Sequence, residues 1–191
     1  MTTATPDGPA RAPLREALRA ARERFTASPA MPAAERALAQ HLREVVARLE
    51  PQCLGLYWPY RSEFNAPPVF TGDMGLSGVA LALPYCHRTP RAMHYRLWDG
   101  QAPAIVDECS IPASDGPEVV PDVVLAPCVG YTDAGYRLGY GGGYFDRWLA
   151  AHPGATVIGV AWSVARVDAA AYVAQPHDIP MMAIVTEAGV V

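Results

Sequence analysis

Five short apolar runs limit this fold more than any other feature of the chain: 53–58, 79–83, 123–126, 157–162 and 182–185, punctuated by proline and glycine. Runs of four to six apolar residues, without polar alternation, read as strands buried on both faces. Such strands need covering layers, and the sequence offers helices to supply them. In 13–25 (PLREALRAARERF) Leu14, Leu18, Ala21 and Phe25 recur at helical spacing, with Pro13 suited to the first turn. A second helix is predicted over 32–49, with Leu38, Leu42, Val45 and Leu49 on one stripe and Pro51 ending it. Further helices fit at 143–152 and around 168–173, another strand at 93–98, and an irregular connection rich in Pro, Asp and Gly over 99–121. Strands alternating with helices predict a single three-layer α/β/α domain with a mainly parallel or mixed sheet, spanning 11–191 behind a loose tail at 1–10.

Composition removes several kinds of function. The chain has 191 residues, of which 51% are apolar and 18% charged, enough for one domain with a sizeable core. A net charge of -4 attracts it neither to nucleic acid nor to an anionic membrane, so any basic site is local. All fifteen basic residues are arginines, which excludes Schiff-base, lysine-catalysed and Walker-lysine chemistry. No apolar stretch approaches the roughly 20 residues of a membrane span. Residues 1–10 (MTTATPDGPA) lack a basic region leading into an apolar one, so no secretory signal is expected. Cys53, Cys86, Cys109 and Cys128 form no C-x-x-C pair and are read as reduced thiols. The expectation is a cytoplasmic monomer acting on small molecules.

Chemistry concentrates in 121–149, PDVVLAPCVGYTDAGYRLGYGGGYFDRWL. An apolar strand, a loop of about fifteen residues, then Gly139, Gly141, Gly142 and Gly143 lead into a helix. Glycines let backbone N–H groups approach oxygens, and a helix N-terminus favours negative charge, so this order makes an anion cradle. Arg137 and Arg147 flank it with forks suited to phosphate, and Asp146 between them suits a magnesium ion or a water. The Rossmann pattern fails because Tyr144 stands where its third glycine belongs, and the P-loop fails for want of a lysine. Arg15, Arg19 and Arg22 share one flank of the first helix, roughly 60° wide. Taken alone, that flank reads either as a solvated face or as part of a site.

The stretch RLGYGGGYFDR (137–147) resembles the signature of the 5-formyltetrahydrofolate cyclo-ligase family, written R-L-G-x-G-x-G-[YF]-[YF]-D. The likeness extends to Arg11 and Leu14-Arg15, to WPYRSE (58–63), to Leu83-Pro84 with Met93, to Ile158-Gly159-Val160-Ala161, and to His177-Asp178 before the last strand. It implies an enzyme converting 5-formyltetrahydrofolate and ATP, with magnesium, to 5,10-methenyltetrahydrofolate, ADP and phosphate through a phosphorylated formyl group. The architecture it implies is loosely that of phosphosugar isomerases and CoA-transferases.

Carried over position by position, the resemblance assigns Arg11, Arg15 and the stretch Arg137, Leu138, Gly139, Tyr140, Gly141, Gly142, Gly143, Tyr144 and Phe145 to ATP. It assigns Trp58, Glu63 and the loop from Tyr140 through Gly141, Gly142 and Gly143 to Tyr144 to the folate. Arg147 and Tyr144 are its catalytic candidates, and Asp146 and Asp178 its magnesium ligands. Three departures stand out: Thr132 where many members have aspartate, Ala165 where many have glutamine, and AIVDECSI (104–111), which keeps Glu108 but not the proline of a G-I-x-E-P turn. Two other readings stay open, a non-catalytic paralogue that binds folate or nucleotide, and a phosphosugar enzyme of similar fold.

Overall fold

The computed structural model of the chain describes residues 11–72, 76–168, 171–175 and 178–191. The tail expected over 1–10 and the resemblance at His177 lie outside the described residues.

Two helices open the described chain, α1 (Arg11–Thr26) and α2 (Met31–Leu49). Pro32 stands in the first turn of α2, and Glu50 in a left-handed conformation (φ 46) followed by Pro51 ends it. The buried stripe of α2 is Ala34, Leu38, Leu42 and Val46, with Val45 and Leu49 at its margin. It is rotated slightly from the expected one.

Five strands then form a parallel block: β1 (Cys53–Gly55), β2 (Ala80–Arg88), β7 (Val123–Pro127), β10 (Thr156–Val160) and β11 (Ala183–Thr186). Antiparallel β3 (Arg91–Trp98) and β6 (Glu118–Val119) extend one edge, and β12 (Gly189–Val190) the other. The sheet order is β12-β11-β10-β7-β1-β2-β3-β6, so the sheet is mixed around a parallel centre. Within 99–121, expected to be irregular, β6 and the small pair β4 (Ile105–Val106) and β5 (Pro112–Ala113) are regular. Two-residue strands are too short to leave a periodic signal. The expected helix around 168–173 is absent from its described residues, where Asp168 accepts a turn hydrogen bond from the Ala171 N–H.

Alternate residues of the central strands face opposite layers, as the pleat requires. Leu54, Leu83, Val123, Leu125, Ile158 and Val160 pack with the α2 stripe. On the other face Ala82, Val124, Ala126 and Val157 pack with Trp148 and Leu149 of α3 (Tyr144–Ala151). Leu38, Leu42 and Val46 are fully buried, and each such side chain contributes about 1.5–3 kcal/mol on leaving water. At the amino ends of β1 and β7 the Asp122 carboxylate accepts from the Gln52 and Cys53 N–H groups, at 3.1 and 2.6 Å, and fixes their register.

This topology leaves a crevice. The connection from β1 to β2 crosses the α2 face through the 3-10 turn Pro67–Val69, while that from β7 to β10 crosses the other face through α3. Neighbouring parallel strands whose connections leave on opposite faces are open between their carboxyl ends, where ligands gather in such sheets. Here those strands are β1 and β7, which pair through Leu54 and Val123.

Candidate functional site

Three pieces of chain converge on that crevice: the segment after β1 that ends at Glu63, the long excursion after β7, and α1. The excursion first forms a hairpin, β8 (Gly130–Tyr131) with β9 (Arg137–Leu138). Thr132 closes its turn, its hydroxyl accepting from the Tyr136 N–H at 3.3 Å and its carbonyl from Gly135 at 3.0 Å. Leu18 of α1 packs on the hairpin with Val129, Leu138, Val167 and Tyr172. That contact turns the arginine flank of α1 inward, toward the glycine loop.

Arg15 donates from Nε to the Gly139 carbonyl at 2.7 Å. Arg11 grips Asp178 through both terminal nitrogens, at 2.6 and 3.3 Å, and its guanidinium lies 4.8 Å from the centre of the Tyr172 ring. Tyr172 also donates to Asp178, and the Gln175 N–H is a third partner. Burial pushes the Asp178 carboxyl up, but these hydrogen bonds outweigh it and hold the group below its ordinary value. Arg22 is only 2% exposed. Its Nε donates to Ser62 Oγ at 3.0 Å and its Nη2 to the Tyr140 hydroxyl at 2.5 Å.

The glycine loop shows why its residues are small. Gly143 caps α3 with φ 65, a left-handed conformation costly for other residues. A Cβ at Gly142 would lie 2.8 Å from the Tyr144 ring. Arg137 sits beneath, paired with Asp146 at 3.0 Å and facing the Phe145 ring at 5.0 Å. Arg147, on the exposed side, donates to the carbonyls of Gly142 and Arg91, fastening the loop to the β2–β3 hairpin.

Glu63 closes the crevice from the β1 side. Its Oε2 accepts from the Tyr60 N–H at 2.8 Å, while its Oε1 is buried without a partner. Burial raises its carboxyl from 4.5 to about 7, and the Tyr60 bond and the Arg22 charge offset only part of that. Tyr140, pushed up to about 12 by burial and by the charge of Glu63, stands between Glu63 and Arg22. Among the described residues six buried side-chain polar atoms have no hydrogen-bond partner, and four belong to Arg19, Arg22, Glu63 and Arg137. Unsatisfied buried groups are costly, and three of these side chains, Arg22, Glu63 and Arg137, stand beside Tyr140 and the glycine loop.

A family model, the 5-formyltetrahydrofolate cyclo-ligase family, matches residues 7–187. The chain belongs to that family. Two solved structures share the cyclo-ligase fold. A 5,10-methenyltetrahydrofolate synthetase from Mycoplasma pneumoniae aligns with a TM-score of 0.67 at 19% identity, over 93% of this chain and 98% of that one. The 5,10-methenyltetrahydrofolate synthetase of Aquifex aeolicus, solved by NMR, aligns with a TM-score of 0.74 at 24% identity, over 94% and 91%. No curated protein matches the chain.

The expected cyclo-ligase positions Arg11, Arg15, Glu63, Arg137, the glycines, Tyr140, Asp146 and Asp178 all fall on the elements around the crevice. Trp58 sets its ring edge-on to Trp98 at 6.2 Å and packs against the main core. Tyr144 places its hydroxyl 3.3 Å from Cys109 Sγ, and its ring under the Arg147 guanidinium. Among the described residues no three His, Cys, Asp or Glu side chains cluster to hold a metal. The departures also find places: Thr132 in the hairpin turn, Ala165 buried in the 3-10 turn Ser163–Ala165, and Glu108 bonded to His87 and the Arg88 N–H. Arg22 and Ser62 are the functional candidates that sequence reasoning missed. The arginine flank was the signal, and only the packing of α1 decides which way it faces.

Proposed function

We propose that this cyclo-ligase uses ATP and magnesium to cyclise 5-formyltetrahydrofolate to 5,10-methenyltetrahydrofolate, releasing ADP and phosphate. The formyl oxygen attacks the γ-phosphorus as the bond to ADP breaks; N10 then closes onto the activated carbon and phosphate leaves. Such chemistry asks for positioning and for stabilised phosphoryl charge, not for a nucleophilic lysine or cysteine. The observation that carries the reading is the shared wall: one loop meets Arg15 through Gly139 and, one residue on, meets Arg22 and Glu63 through Tyr140.

In this reading Arg11, Arg15 and Arg137 meet the triphosphate, helped by the free N–H groups in the first turn of α3. Glu63 takes the N–H donors of the pterin edge, for which its empty Oε1 is suited. Asp146 and Asp178 would hold magnesium. Both already share their oxygens with arginines, which fits an ion bound through one or two carboxylates together with phosphate oxygens rather than in a protein cage. When bound, magnesium neutralises charge on the transferring phosphate.

Arg15→Ala and Arg147→Ala are expected to raise the KM for ATP about tenfold or more while moving that for the folate little; Glu63→Ala should do the reverse. Steady-state kinetics with each substrate varied in turn reads this directly. Equal effects on both substrates from all three variants would contradict the assignment.

A further inference from the structure

Arg22 and Glu63 share an unusual economy. On each side chain one part is tied to the protein and another is buried and empty. Arg22 spends Nε on Ser62 and Nη2 on Tyr140, leaving Nη1 without a partner. Glu63 spends Oε2 on the Tyr60 N–H, leaving Oε1. Both interact with the Tyr140 hydroxyl, which places the two groups side by side at the crevice wall. The fixed bonds set each group's orientation, and Arg22 has little freedom to swing away because it is buried under the loop. An empty donor and an empty acceptor in one buried site are complementary to a ligand edge that carries an acceptor beside a donor.

We infer that Arg22 is a substrate-specificity residue whose Nη1, acting with Glu63 Oε1, reads the lactam edge of the bicyclic ring. In this pairing the ring carbonyl accepts from Nη1 and the adjacent ring N–H donates to Oε1. Ser62 and Tyr140 act as positioning residues, since they hold the guanidinium by its other nitrogens. Tyr140 thereby links recognition of the ring to the loop that Arg15 grips at Gly139. The inference rests on the cyclo-ligase reading and adds to it a basis for choosing an oxo ring over an amino one. Replacing the carbonyl by an amino group would set a donor against the Nη1 donor and remove the neighbouring N–H that Glu63 accepts.

The test uses the full chain as wild type, Arg22→Met and Arg22→Lys, with folic acid and its 4-amino counterpart as competitors against 5-formyltetrahydrofolate. Wild type should bind the oxo competitor about tenfold or more tightly than the amino one, the discrimination expected from a charged hydrogen bond. Arg22→Met should bring that ratio close to one, raise the KM for the folate about 10–100-fold, and leave the KM for ATP within about twofold. Arg22→Lys, which keeps the charge but not the fork, should fall between. A wild type that does not prefer the oxo ring overturns the inference without any variant. So does an Arg22→Met protein that keeps the preference while both KM values rise, because that is loss of structure alone. A wild type that binds no reduced folate removes the cyclo-ligase reading and this inference with it.

Discussion

At the scale of single residues, the crevice holds groups that are costly to the folded chain. The Glu63 carboxyl is raised from 4.5 to about 7, so between those values the folded protein binds more protons than the unfolded one. Stability is full below pH 4.5 and is withdrawn as pH rises toward 7, by on the order of 3 kcal/mol. Glu63→Gln abolishes the titration while keeping an acceptor for the Tyr60 N–H. At pH 8 it is expected to raise Tm by about 5 °C or more, and at pH 5 by little, while weakening folate binding. Thermal melts at the two pH values check this, and an equal shift at both would contradict it. Glu63 was legible in the sequence through WPYRSE. Arg22 was not, because helical spacing gives a side chain's flank and says nothing of what covers it.

At the scale of elements, the glycine loop and α3 work as one unit. Gly143→Ala places a Cβ 2.8 Å from Arg147 Nη1 in a left-handed backbone, and the conformation alone costs about 1–2 kcal/mol. The variant is expected to melt a few degrees lower and to lose affinity for ATP more than for folate, as ligand titrations would read; unchanged ATP affinity would contradict a phosphate-binding loop. Element positions were largely legible, since α1, α2, α3 and the central strands answer to apolar spacing. The run at 53–58 yields only Cys53–Gly55 as strand. After a last bond from the Leu56 N–H to the Ala82 carbonyl of β2 the chain leaves the ladder to form the crevice wall, and Tyr57 and Trp58 serve the core outside the strand. The site elements with weak periodicity, the β8–β9 hairpin and the turn at Ala171, hold their shape through side-chain bonds such as those of Thr132 and Tyr172.

At the scale of the molecule, the site exists because β1 and β7 are neighbours whose connections part. Strand order is set by long-range pairing, which no local pattern encodes, so the α/β class was readable and the crevice between these two strands was not. The same long-range order brings Arg11 to Asp178 and Arg22 to Tyr140, residues more than a hundred positions apart. It explains why the N-terminal helix belongs to the site at all. No helix among the described residues is long and apolar enough to cross a membrane. The measurement that bears most directly on the central claim is the near-ultraviolet absorbance of the methenyl product, followed with purified protein, 5-formyltetrahydrofolate, ATP and magnesium. Product that forms with all three present, and stops when ATP or magnesium is withheld, is the expected result; a folded protein that binds both substrates and makes no product would contradict it.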